Sequence, residues 1–91
     1  MLVALIARDK DGALEIRKAN RDAHLAYVKS TGIVEQAGPL LGTDDQMIGS
    51  LIVLEVKDLA EAQNWAKHDP YAKADLFQSV ELIPWKRVIE K

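Results

Sequence analysis

The sequence predicts an α+β domain of the ferredoxin-like type, a βαββαβ plait with a four-stranded antiparallel sheet and two helices on one face. Three observations carry this. The 91 residues leave room for one core, because two would each bury too little surface to offset chain entropy. Hydrophobic periodicity switches between strand and helix in the order strand, helix, strand, strand, helix, strand. The run 48–56 is apolar on both sides, with Ser50, Ile52, Leu54 and Val56 facing one way and Leu51 and Val53 the other. One sheet face is therefore left without helices, and a homodimer that buries the two open faces together is the expected remedy.

Each element has its own signal. Residues 2–7 are a short β-prone run bounded by the charged turn Arg8-Asp9-Lys10-Asp11. From Asp11 or Gly12 to Thr31 there is no proline, and Gly32 supplies a left-handed stop, so a long helix is expected. Residues 33–41 form a strand bent at Pro39, joined through Gly42-Thr43-Asp44-Asp45-Gln46 to the strand 48–56 as a hairpin. Asp58 caps the second helix with Glu61 as reciprocal partner, and Asp69-Pro70 ends it. After a short turn, 70–75, the last strand is expected over 79–89, with Pro84 marking an edge or a bulge.

Composition narrows the function. Twelve basic and 14 acidic residues, interleaved along the chain, give a net charge of -2 and no basic stripe, which argues against nucleic acid and against an anionic membrane surface. With no cysteine there is no disulfide, thiolate nucleophile or cysteine metal site. The apolar start, residues 1–7, has no basic lead-in and is too short to span a bilayer, so it reads as a strand and the protein as cytoplasmic. The glycines are too dispersed for a phosphate loop, so no nucleotide cofactor is expected. Two histidines on different elements give no metal-ligand spacing.

Two polar clusters stand out. On the first helix Arg17, Arg21, His24 and Val28 share about 60° of arc, flanked by Leu14 and Leu25 on one side and Ile16, Ala23 and Tyr27 on the other, so the ridge borders a cleft rather than bulk water. His24 there is either a hydrogen-bonded packing histidine or a group that serves a ligand. In His68-Asp69-Pro70-Tyr71, Asp69 is placed to cap the turn that Pro70 opens. Trp65 and Trp85 read as core or interface aromatics. A serine triad of Ser50, His24 and Asp69 lacks a nucleophile elbow.

Arg21-Asp22-Ala23-His24-Leu25, Ala37-Gly38-Pro39-Leu40, Gly49-Ser50, Ala62-Gln63-Asn64-Trp65, Asp69-Pro70-Tyr71 and Val80-Glu81-Leu82-Ile83-Pro84-Trp85 together resemble the YciI-like (YCII-related) family along nearly the whole chain. The resemblance implies the dimeric α+β barrel superfamily and an active site in which a histidine and an aspartate pair, here His24 and Asp69. Asp75 stands where the family commonly has glycine, and Trp85 where phenylalanine is frequent. The expected activity is then cofactor-independent proton transfer, of isomerase, lyase or dehydrohalogenase type, on a small anionic or cyclic molecule. His24 would be the acid or base and Asp69 its orienting partner, with Arg21, Arg17, Ser50 and Tyr71 binding substrate. The alternative is a non-catalytic ligand-binding or accessory module on the same fold.

Overall fold

The computed structural model describes all 91 residues. The chain runs β1 (Leu2–Asp9), α1 (Leu14–Thr31), β2 (Val34–Leu41), β3 (Met47–Glu55), α2 (Leu59–His68), the single turn α3 (Pro70–Lys73) and β4 (Phe77–Trp85). All four strands form one antiparallel sheet in the order β2-β3-β1-β4. This is the expected plait, with one extra helical turn where a plain turn was expected.

Strand alternation decides what the helices cover. Val3, Leu5 and Ala7 of β1 sit beside Leu54, Ile52 and Ser50 of β3, so these residues share the helix-covered face. With Val56 and with Ala62 and Trp65 of α2, the apolar members make the main core. Tyr27 of α1 closes it, stacked at an angle on Trp65 and donating its hydroxyl to the Trp65 carbonyl at 2.9 Å. Asp58 caps α2 by accepting from the N–H of Glu61 at 2.9 Å, and Glu61 reaches back to Lys57 N–H, one residue earlier than a regular capping box.

Several boundaries differ from expectation, most by one or two residues; the end of β4 and the start of α1 have a visible reason. β4 begins at Phe77 and stops at Trp85 because Trp85 pairs with Leu2, the first residue of β1, so residues 86–89 have no strand left to pair with. α1 begins at Leu14 because Gly12 is left-handed, at φ 69°, and holds the chain in a turn. Asp75, at φ 59°, takes a left-handed conformation that glycine would adopt without steric cost. Its carboxylate meets Lys10 at 2.6 Å across the mouth of the β1 turn. Pro39 and Pro84 both lie on edge strands, where a missing N–H is tolerated.

Gly49 sets how closely β3 approaches β1. A Cβ there would collide with the carbonyl oxygen of Ala7, so only glycine lets the two strands meet beside Ser50. No helix is long and apolar enough to cross a membrane.

Candidate active site

The polar ridge of α1 faces the sheet. Arg17 and His24 are buried, whereas the flanking Ile16 and Leu25 are among the exposed large apolar residues. The ridge therefore borders a cleft as expected, and Arg17 and His24 can be buried because each meets a carboxylate inside.

His24 is the centre of this arrangement. Its Nδ1 lies 2.8 Å from Asp69 Oδ1, with the two side chains 8% and 1% exposed. A carboxylate only accepts, so the ring proton is on Nδ1 and Nε2 carries the free lone pair. Nε2 has no protein partner, and the single buried side-chain polar atom without one is Asp69 Oδ2, so Nε2 remains open to solvent. Asp69 Oδ1 also accepts the N–H of Tyr71 at 3.0 Å, capping α3. Capping and pairing with histidine are thus one geometry, because Pro70 opens a turn that aims the cap oxygen at α1. Asp69 Oδ2 is buried without a donor, so the carboxylate is met only at Oδ1, by the imidazole and the Tyr71 N–H.

Tyr71 joins the histidine to the arginine. Its ring stacks on His24 at 4.1 Å between centroids and 14° between planes, and the Arg17 guanidinium carbon lies 4.7 Å from its centre. Burial raises the Tyr71 phenol above its ordinary range; Arg17 opposes this and Asp69 adds to it, so the hydroxyl stays protonated as a donor near neutral pH.

Arg17 and Asp9 form a buried ion pair, 3% and 5% exposed, through Nε at 2.7 Å and Nη2 at 2.9 Å. Burial alone would lower the Arg17 pKa, but the hydrogen bonds and charge of Asp9 outweigh it and hold the guanidinium protonated. Nη2 also donates to Ser50 Oγ at 2.9 Å, which frees the serine proton to point elsewhere. Ser50 makes no bond to His24, so the three residues do not form a triad.

Arg17, Arg21, His24, Ser50 and Tyr71 all line one pocket of about 190 Å³, closed on its apolar side by Leu25, Ile52, Met47 and residues 37–39 of β2. Asp69 sits behind His24 and does not line it. Arg21 is exposed and has no ion-pair partner. His68 lies outside, exposed and bonded through Nδ1 to the Asn64 carbonyl at 2.8 Å. No group of three histidine, cysteine or acidic side chains could hold a metal ion.

Asp9 is a site residue that the sequence does not single out, since it reads as part of the charged turn that bounds the first strand. A signal for it exists in its odd position, after Val3, Leu5 and Ala7; the pairing with β4 shifts between Arg8 and Asp9, and the carboxylate meets Arg17 of α1.

The model of the YCII-related domain matches residues 1–86. The chain belongs to the YCII-related family. Protein YciI of Escherichia coli and Protein YciI of Shigella flexneri are each 35% identical to this YCII-related chain, over 97% of it and 99% of the relative. Among solved structures, it is similar to 5-chloro-2-hydroxyhydroquinone dehydrochlorinase (TftG) from Burkholderia phenoliruptrix AC1100, in complex with 2,5-dihydroxybenzoquinone. That likeness has a TM-score of 0.88, with 33% identity over 94% of each chain. Rv0793 from Mycobacterium tuberculosis shares the fold, with a TM-score of 0.63 at 12% identity over 98% of this chain and 100% of that one. The superfamily expected from the resemblance is thus met at the level of the protomer fold.

Proposed function

We propose that the protein catalyses proton transfer, without a cofactor, on a small oxygen-rich ring compound, with dehydrohalogenation as the reaction to test first. One observation carries the reading: a histidine that lines the pocket, its Nδ1–H held 2.8 Å from a buried carboxylate and its Nε2 without a protein partner. His24 acts as base through Nε2, and Asp69 fixes the tautomer and stabilises the imidazolium that forms. That imidazolium then returns its proton to carbon or to a leaving group.

The rest of the pocket suits an anionic ring. Arg21 at the mouth and the free Nη1 of Arg17 hold an oxyanion, while the Tyr71 and Ser50 hydroxyls donate hydrogen bonds. A cavity of about 150 Å³ holds benzene, so about 190 Å³ suits one substituted ring. The 33% identical dehydrochlorinase supports the same class. Loss of hydrogen chloride from a chlorinated trihydroxybenzene needs no oxidant. One hydroxyl proton moves to the carbon bearing chlorine, a second leaves, and chloride departs with the bonding electron pair. A histidine that first takes and then gives a proton serves both transfers.

The test is anaerobic incubation with 5-chloro-2-hydroxyhydroquinone. Chloride release above a protein-free control, with hydroxyquinone absorbance growing in step, is the expected result. No chloride, together with no change in the His24 ring signals when 2,5-dihydroxybenzoquinone is added, would overturn the reading.

The same reading includes a homodimer through the open sheet face. Leu51, Ile83 and Trp85 are 40%, 44% and 41% exposed on that face, a cluster that a lone protomer would leave in water. Light scattering is expected to give twice the chain mass, and Leu51→Lys is expected to return the monomer. A wild-type chain that elutes at monomer mass at micromolar concentration would rule this assembly out.

A further inference from the structure

Asp9 does not line the pocket, and yet its carboxylate is the partner that fixes the pocket's most connected side chain. Arg17 spends Nε and one Nη2 proton on Asp9 and the other Nη2 proton on Ser50, which leaves only Nη1 for a ligand. The direction of Nη1 is therefore set by Asp9 and Ser50 together, because a planar guanidinium bonded at two of its nitrogens cannot turn. Asp9 lines the neighbouring cleft and not this pocket, so any effect it has on a bound ring must pass through Arg17.

The connection continues past Arg17. The guanidinium packs on Tyr71, and Tyr71 stacks on His24 at 4.1 Å. An Arg17 released from Asp9 would lose its place over the Tyr71 ring and disturb the surface against which the imidazole rests. It would also be a buried cation with its counter-charge removed, driven to seek water at the pocket mouth.

We propose that Asp9 is a positioning residue of the site: it acts through Arg17 to aim one guanidinium N–H at an oxygen of the bound ring and to hold the Tyr71 ring against His24. The inference rests on the reading that this pocket binds such a ring.

Two measurements on Asp9→Asn test it, both at a temperature where circular dichroism shows the variant folded. In the ligand-free protein, the ring-proton signals of Tyr71 and His24 are expected to shift, although neither residue is bonded to Asp9. With 2,5-dihydroxybenzoquinone as probe, calorimetry is expected to give a Kd raised about 10- to 100-fold, the cost of an anchoring group misplaced by about 1 Å. Arg17→Gln alone and the Asp9→Asn, Arg17→Gln double variant are then expected to bind equally weakly, since both steps remove one anchor. Should Asp9→Asn fail to fold, Asp9→Glu keeps the charge and displaces the guanidinium by one methylene, with the same two shifts expected. Unchanged ring signals in a folded variant would reduce Asp9 to a stabilising ion-pair partner and overturn the proposal. If wild type does not bind the quinone but the ring signals still move, the positioning stands and the proposed substrate class falls.

Discussion

Asp69→Asn is expected to lower turnover of the chlorinated assay substrate by about 10- to 100-fold, the loss of a charged acceptor for the imidazolium, worth about 1.5–3 kcal/mol. The aspartate accepts the Nδ1–H of His24 and the Tyr71 N–H on one oxygen, and its other oxygen has no donor. An amide has one oxygen and one NH₂ to offer. With the oxygen kept at the Oδ1 position it still accepts both N–H groups, so the tautomer is retained and the NH₂ takes the place of Oδ2; what is lost is the negative charge that stabilises the imidazolium. The fold should tolerate the change, because an asparagine caps a helix about as well as aspartate does. Nitrogen chemical shifts of His24 are expected to show the wild-type tautomer. Turnover within threefold of wild type would leave Asp69 as a helix cap alone.

His24→Ala is expected to cost about 10²- to 10⁴-fold in turnover, the usual contribution of one positioned base. Binding of 2,5-dihydroxybenzoquinone should weaken only a few-fold, since Arg17, Arg21, Ser50 and Tyr71 still line the pocket. Added imidazole is expected to restore part of the rate in a saturable way, because the deletion leaves a ring-sized gap between Tyr71 and Asp69. A merely structural histidine would behave otherwise: loss of stability, no rescue, and activity per folded molecule unchanged. That pattern would transfer the site to a binding role.

Much of the scaffold was legible in the residues. The apolar runs of β1 and β3, the Gly32 stop of α1 and the Asp58 cap of α2 are local signals, and local hydrogen bonds or side-chain periodicity decide them. The end of β4 was not legible, since it depends on where β1 begins, 83 residues earlier by the pairing of Leu2 with Trp85. Among the site residues, Arg17, Arg21 and His24 were visible as a ridge because one helix carries all three. The pairing of His24 with Asp69 was implied only by the family resemblance; the residues themselves favoured a capping role for Asp69. The structure removes the choice, for Asp69 Oδ1 caps α3 and meets His24 at once.

By itself, then, the sequence determined the order and type of the elements, the face of β1 and β3 that is buried, and the helix face that carries the cations. These follow from periods of two and about 3.6 residues and from caps read within a few positions. Only the tertiary structure decided that Asp9 ends as the partner of Arg17 rather than as a turn residue. It alone slots Tyr71 beside both Arg17 and His24, and turns Ser50 toward Arg17 and away from a triad. Each of these contacts joins groups on different elements at about 3 to 5 Å, and such distances are set by how helices seat on a twisted sheet, a packing outcome that no local pattern encodes.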